Sequence, residues 1–232
     1  MLSGCSALSQ NPLSDMPTDA QQQTSDIASS DAIFNPTRQW PHSACDLEPD
    51  TEVIFQDLPN GFRYVLMKNS RPENRVSMHL FIQAGSMLEK ENERGIAHFL
   101  EHMLFLGTEK YPDVEDYARY LKQKGGYSNA FTSAQHTNYH FEVHHDALEG
   151  ALDRFAQFFI APLFSEKYIE RELNAVHSEY QKNLMNDGWR RQQLLRSHLK
   201  KNHPVSSFSI GNKETLNGIK RAEFLDFYRK HY

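Results

Sequence analysis

The sequence predicts an α+β protein in which a mostly antiparallel sheet is covered by helices. Three observations indicate this class: short segments of alternating apolar and polar residues come first, longer segments of helical periodicity follow, and a second alternating pair lies between them. Of the 232 residues, 39% are hydrophobic and 24% charged, which is enough apolar material for a folded domain.

The predicted strands share apolar–polar alternation and end at turn-forming residues. They cover residues 53–58, 62–67, 76–84, 127–133 and 137–143. Pro59-Asn60-Gly61 joins the first two strands and is typical of a hairpin turn. Gly85 and Ser86 end the third strand.

The predicted helices are delimited by residues that cap or break a helix. They cover residues 94–106, 113–124, 146–160, 165–185, 189–200 and 223–232. Gly107 ends the first and Gly125-Gly126 the second. Pro162 stops the third, and Ser165 caps the fourth.

Residues 1–40 are predicted to be a flexible tether that precedes a domain at residues 41–232. Between residues 6 and 33 the chain is rich in Ser, Gln, Asp and Ala and contains no aromatic residue. Such a stretch buries too little apolar surface to offset its ordering entropy.

Leu2-Ser3-Gly4-Cys5 resembles the lipobox of bacterial lipoproteins, in which the cysteine receives a lipid. Lipidation of Cys5 would anchor the protein to a membrane, and we expect a bacterial periplasmic location. Met1 alone precedes the box in this sequence, so either the true start lies upstream, with the charged and apolar regions of a signal peptide, or the four residues match by chance. The alternative is a disordered leader on a soluble protein.

Charge, hydropathy and cysteine usage argue against several other classes. The net charge of −5 offers no basic patch for nucleic acid. The sequence contains no run of 18 apolar residues, which is about the length that a membrane-spanning helix needs. The two cysteines, Cys5 and Cys45, lie outside the predicted folded part, so neither a disulfide framework nor a cysteine-bound metal is expected.

The segment His98-x-x-Glu101-His102 is the strongest candidate for a metal site. On a helix, residues at i and i+4 lie on one side, so both imidazoles can bind one Zn²⁺. Glu101 reaches the same side and can accept a proton from a zinc-bound water. The alternative is that these residues form the solvated face of an amphipathic helix.

A third zinc ligand has to come from another part of the fold. Glu172 and Glu179 lie two turns apart at the margin of an apolar stripe on the predicted fourth helix. Carboxylates at the edge of a buried face are costly unless a cation or an imidazole N–H compensates them. The residues alone leave open that both are exposed and paired with Arg171 or Lys182.

A longer set of motifs surrounds these residues. Their sequences are Gly95-x-Ala-His-Phe-x-Glu-His-Met-Leu-Phe-x-Gly-Thr108, Ser128-Asn-Ala-Phe-Thr-Ser133, His136-Thr-Asn-Tyr139, Arg171-Glu-x-Asn-Ala-Val-x-Ser-Glu179 and Asn183-x-Met-Asn-Asp-x-Trp-Arg190. In this order, over about residues 47–232, they resemble the N-terminal domain of the pitrilysin and insulin-degrading enzyme family, the inverzincin zinc metallopeptidases.

The resemblance implies a role for each candidate residue. His98, His102 and Glu179 would bind one Zn²⁺ per active site, and Glu101 would be the general base. Glu172 would orient a ligand histidine. Asn129 and Ala130 would bind the peptide substrate through the main chain of an edge strand. Phe105 and Phe131 would shape apolar subsites, although both could instead be core residues.

The implied function is that of a zinc-dependent endopeptidase. The family members closest to this pattern are long chains of four related domains. The resemblance therefore implies that the sequence is the N-terminal part of a longer enzyme, incomplete at its C-terminus, whose C-terminal half adds substrate contacts. The alternative is a non-catalytic binding or assembly subunit of the same fold. The natural substrate and the oligomeric state are not predicted.

Overall fold

The computed structural model describes residues 52–200, 203–206 and 208–232. Cys5, Cys45 and the predicted tether at residues 1–40 lie outside these ranges, so lipidation of Cys5 and the boundary at residue 41 stay predictions. The described chain divides at Ser70 into two compact units. Within the described residues, no helix has the length and apolar character that crossing a bilayer requires.

The first unit contains an antiparallel hairpin of β1 (Val53–Asp57) and β2 (Arg63–Met67). Gly61 has a φ of +83° in the connecting turn, a backbone conformation that glycine adopts without strain. At the turn end of the ladder, Arg63 forms an ion pair of 2.7 Å with Asp57. The hairpin therefore lies where the Pro-Asn-Gly signal predicts it.

The second unit is built on a three-stranded antiparallel sheet. Its strands are β3 (Arg75–Ile82), β4 (Tyr127–Thr132) and β5 (Thr137–His144), in the order β3-β5-β4. One face of the central strand β5 is fully buried through Tyr139, Phe141 and Val143. The predicted strands thus belong to two separate hydrogen-bonded sheets. The sequence did not predict this division, because alternation identifies a strand but not its partner.

The described residues form six α-helices, all close to the predicted segments. They are α1 (Ile96–Leu104), α2 (Asp116–Gln123), α3 (Leu148–Ile160), α4 (Ile169–Leu184), α5 (Asp187–Ser197) and α6 (Arg221–His231). Short 3-10 turns, His145–Ala147 and Glu166–Tyr168, replace the predicted first turns of α3 and α4. The α+β class is confirmed.

The core of the second unit surrounds α1. Helix α1 contacts β4, β5, α4 and α6, and Phe99 and Phe224 of α6 meet edge to face at 4.9 Å. Both of these rings are fully buried, and each large apolar side chain removed from water contributes about 1.5–3 kcal/mol. The helix that carries the zinc motif is thus the central helix of the fold.

Candidate metal centre

The N-terminus of α1 is held by a buried carboxylate. Glu89 accepts hydrogen bonds from the backbone N–H groups of Gly95 at 2.9 Å and Ala97 at 3.0 Å. Gly95 has a φ of +97°, and a Cβ there would lie 2.4 Å from the Cα of Gly211. This close approach of two backbones brings the carbonyl of Ile210 to the start of the helix.

The carbonyl of Ile210 fixes the orientation of the His98 ring. Its Nδ1 lies 2.9 Å from the oxygen of Ile210, which can only accept a hydrogen bond, so Nδ1 carries the proton. The Nε2 atom then keeps its lone pair and faces Glu179. Burial, followed by the nearby charge of His102, lowers the pKa of His98, which favours the neutral imidazole that a metal requires.

His102 lies between the two glutamates of α4. Its Nδ1 is 3.5 Å from Glu172 Oε2, and its Nε2 is 3.7 Å from Glu179 Oε2. Burial opposes a charge on this ring, but the neighbouring carboxylates of Glu172, Glu179 and Glu101 together outweigh burial and raise the pKa of His102 to about 9. Without a metal, the ring therefore holds a proton that metal binding has to displace.

The two carboxylates of α4 differ in exposure. The side chain of Glu172 is 13% exposed and also forms an ion pair of 2.8 Å with Arg171, whereas that of Glu179 is 41% exposed. The hydrogen bond from His102 lowers the pKa of both carboxylates. The pairing of Glu172 with Arg171 is therefore present, but it does not exclude the contact with the imidazole.

His98, His102 and Glu179 each offer one ligand atom, and these atoms all lie within 4.8 Å of one another. In a tetrahedral site with bonds of about 2.0–2.1 Å, neighbouring ligand atoms are about 3.3 Å apart. Glu179 Oε2 is 3.5 Å from His98 Nε2 and 3.7 Å from His102 Nε2. Two nitrogens and one oxygen at this spacing fit a small divalent ion such as zinc.

Glu101 lies on the same helix, between the two histidines in sequence. It is 7% exposed, so it does not belong to a solvated polar face. Its Oε2 accepts a hydrogen bond of 2.5 Å from the hydroxyl of Thr132. Burial raises the pKa of Glu101 to about 7, although the hydrogen bond from Thr132 opposes the shift. A carboxylate of this kind can both accept and return a proton near neutral pH.

The predicted substrate residues lie on and near β4, which within the described residues pairs with β5 alone and leaves its other edge open. Asn129 is exposed and Ala130 half-buried. Phe131 is 47% exposed and meets His136 edge to face. Phe105 is half-buried and packs against the ring of Phe158 at 5.2 Å. Phe105 therefore has a packing role, whereas Phe131 faces solvent.

The family model for insulinase, peptidase family M16, matches residues 64–202, which is more than half of the chain. The chain belongs to the M16 peptidase family. Human insulin-degrading enzyme is 48% identical over 192 residues, and the A-factor-processing enzyme of Saccharomyces cerevisiae is 43% identical over 196 residues. Each alignment covers 80% of this chain and 19% of the relative.

Two further similarities extend the comparison. A putative zinc protease of Schizosaccharomyces pombe is 44% identical over 190 residues, covering 79% of this chain and 20% of that protein. The crystal structure of pitrilysin superimposes with a TM-score of 0.73 at 38% identity, over 78% of this chain and 20% of that one. The chain thus spans about one fifth of the length of these M16 relatives, and the predicted family is confirmed.

The sequence did not predict the roles of three residues around the candidate metal centre. Glu89, Thr132 and the carbonyl of Ile210 each bond to α1 or to its side chains. A backbone carbonyl has no sequence signature. Thr132 and Glu89 carry ordinary side chains whose importance depends on which residue they contact. The pair of glycines at 95 and 211 could have indicated a close backbone approach, but only once their positive φ angles were known.

Proposed function

We propose that this chain carries the zinc-binding and catalytic half-site of a zinc-dependent endopeptidase. One observation supports the proposal above all others. The Nε2 atoms of two histidines from α1 and a carboxylate oxygen from α4 converge beside the buried carboxylate of Glu101. Membership of the M16 family and similarity to a protein named as a zinc protease add to it.

His98, His102 and Glu179 would hold one zinc ion per site. When bound, zinc supplies Lewis acidity, which makes water a nucleophile at neutral pH and polarises the scissile carbonyl. The carbonyl of Ile210 faces the Nδ1–H of His98 as an acceptor, and the carboxylate of Glu172 faces the Nδ1–H of His102 in the same way, so that both Nε2 atoms point towards Glu179. Glu172 would therefore act through His102 and not as a ligand.

Glu101 would be the general base and, later, the general acid. Its carboxylate would accept a proton from the attacking water and return it to the leaving amine. Burial holds the pKa of Glu101 at about 7, so its carboxylate exchanges a proton readily near neutral pH. Hydrolysis by this route requires that the same carboxylate first accepts a proton and then donates it.

The substrates would be extended peptides bound at the open edge of β4. An added strand can form main-chain hydrogen bonds there, as in other cases of strand addition. Asn129 and Ala130 supply that backbone, and Phe131 presents an exposed ring for an apolar substrate side chain. Phe105, which packs into the core, would at most form the floor of a subsite.

The proposed activity belongs to a longer polypeptide. The chain spans about 19% of insulin-degrading enzyme, so the remaining length would supply further substrate contacts. We propose that this chain is the N-terminal part of such an enzyme and that its C-terminal half is its main partner. The lipid anchor at Cys5 and the periplasmic location stay predictions from the sequence.

The substitution Glu101→Gln in the complete protein tests the proposal. Peptide hydrolysis should fall about 10²–10⁴-fold, because an amide accepts no proton, while zinc content stays at one ion per chain. Glu109→Gln makes the same chemical change at an exposed carboxylate just beyond α1 and should leave hydrolysis unchanged.

Other outcomes would contradict parts of the proposal. Hydrolysis that survives Glu101→Gln would refute the general base, and purified protein without a divalent ion would refute the metal centre. A wild-type protein that binds zinc and peptide but cleaves nothing would indicate the non-catalytic binding subunit instead.

A further inference from the structure

Thr132 connects the strand β4 to the carboxylate of Glu101. On β4, Ser128, Ala130 and Thr132 are half-buried, and the residues between them are exposed. The half-buried side chains share the face of the sheet that α1 packs against. The hydroxyl of Thr132, at the end of this row, lies 2.5 Å from Glu101 Oε2.

The direction of this hydrogen bond follows from the protons available. The hydroxyl of Thr137, which pairs with Thr132 across the β4–β5 ladder, donates to the buried carbonyl of Ala84 at 2.8 Å. Each hydroxyl has one proton. Thr137 is therefore not the donor in the 3.3 Å contact between the two threonine oxygens. The proton of Thr132 is free to point at Glu101, because an ionised carboxylate only accepts.

Thr132 itself has little freedom to move. It is β-branched, which restricts its χ1 angle, and its neighbour Thr137 is fully buried. The hydroxyl is therefore a fixed donor on a regular strand. Residues supported in this way hold a reactive group more accurately than residues on loops.

The two oxygens of Glu101 are unequal as a result. Oε2 is occupied by Thr132, whereas Oε1 has no hydrogen-bond partner in the part of the chain that the structure describes. A carboxylate anchored through one oxygen presents the other in a defined direction. In the proposed reaction, Oε1 is therefore the oxygen that remains to accept the proton of the water.

We propose that Thr132 is a positioning residue that orients the carboxylate of Glu101 towards the reacting water. The inference rests on the proposed function and extends it. Because Thr132 belongs to the strand whose edge would hold the peptide, one residue fixes the base relative to the substrate backbone. Misplacing a reacting group by about 1 Å can cost about 100-fold in rate.

The test compares two substitutions in the complete zinc-loaded protein. Thr132→Val keeps the shape and removes the hydroxyl, and kcat for a peptide should fall about 10–100-fold, the usual cost of losing a supporting hydrogen bond. KM should stay unchanged, because the main chain of β4 is unaltered. Thr132→Ser restores the hydroxyl and should recover most of the lost kcat. Zinc content and the thermal unfolding midpoint are measured for each variant.

Ser128→Ala is the matched control. It removes a hydroxyl from the same face of the same strand, and this hydroxyl makes no hydrogen bond to Glu101 in the described chain. Its kcat should equal that of the wild type. If Thr132→Val does not fold, Thr132→Ala in the same assay removes the same hydroxyl.

The proposal is overturned if Thr132→Val keeps the wild-type kcat, or if Thr132→Ser is as impaired as Thr132→Val. A rise in KM with unchanged kcat would also overturn it, because Thr132 would then contribute to peptide binding. These outcomes are separable from failure of the proposed function, in which Glu101→Gln itself would leave hydrolysis intact.

Discussion

Helices α1 and α4 carry the two halves of the candidate metal centre, and they are embedded to different extents. In α1, the histidines and Glu101 lie among fully buried apolar residues, and His102 alone of its nine residues is not buried. In α4, Val176 is buried, whereas the remaining residues are half-buried or exposed. The imidazoles therefore come from the core of the unit and the carboxylates from its periphery.

This difference indicates how the site would respond to change. Elements with many buried apolar contacts open at a cost close to that of global unfolding, whereas peripheral elements open more easily. We therefore expect substitutions on α1 to affect folding and the site together. Substitutions on α4 should affect metal binding and leave the fold intact. Each prediction below can break or sharpen this comparison.

The largest effect is expected from Phe99→Ala on α1. The ring is fully buried and packs edge to face on Phe224, so its loss should cost about 3–5 kcal/mol of unfolding free energy. The matched change on α4, Leu173→Ala at a half-buried position, should cost no more than about 2 kcal/mol. Urea denaturation of chelator-treated protein measures both. Equal losses would contradict the contrast between the helices.

Glu179→Gln should separate metal binding from folding. The carboxylate is a proposed ligand, yet its side chain is 41% exposed, so the metal-free protein should keep its unfolding midpoint. Zinc affinity should fall by more than about 100-fold, beyond the usual effect of losing a supporting residue. Competition with a fluorescent chelator measures the affinity. Unchanged zinc affinity would remove Glu179 from the ligand set.

Glu172→Gln should have a smaller effect on the same property. The amide oxygen of Gln can still accept a hydrogen bond from the Nδ1–H of His102 but carries no charge, so zinc affinity should fall about 10–100-fold. The same chelator competition applies. A loss as large as that of Glu179→Gln would indicate that Glu172 is itself a ligand.

The smallest effect is expected from the pH dependence at Glu89. Burial raises the pKa of Glu89 to about 7, although the hydrogen bonds that it accepts from two backbone N–H groups act to lower this pKa. The folded protein therefore keeps this proton up to about pH 7, whereas the unfolded chain releases it near pH 4.3. The linked stability is complete at low pH and is lost as the pH rises towards 7.

Glu89→Gln cannot titrate and should lack this dependence. The wild type should exceed the variant in stability by more at pH 5 than at pH 8, with a change on the order of 1 kcal/mol. Urea denaturation at the two pH values tests this. If wild type and variant differ in stability by the same amount at both pH values, the pKa of Glu89 is not raised. The two N–H groups and the helix terminus would then offset the effect of burial on that pKa.

Much of the fold was predictable because its signals are local. Helical periodicity located α1, and Gly107, which has a positive φ, lies shortly after its last residue, Leu104. Alternation located β4 and β5 to within about one residue at each end. The separation of the strands into two sheets was not predictable, since partners are chosen by long-range packing.

The candidate site shows the same division. The i and i+4 spacing of His98 and His102 places both rings on one side of a helix, whatever surrounds it. Whether those rings are buried, which nitrogen faces inwards and how Glu101 is held depend on Ile210, Glu172 and Thr132. These three partners lie far from the motif in sequence.

The sequence by itself determined which groups could bind a metal and that they lie on helices. It also determined that Glu172 and Glu179 share one side of a second helix, because these properties depend only on the 3.6-residue period. The tertiary structure decided that the two helices meet, that Glu179 faces both imidazoles and that Thr132 reaches Glu101. Contacts of that kind result from packing the whole core, in which each position depends on residues distant in the chain.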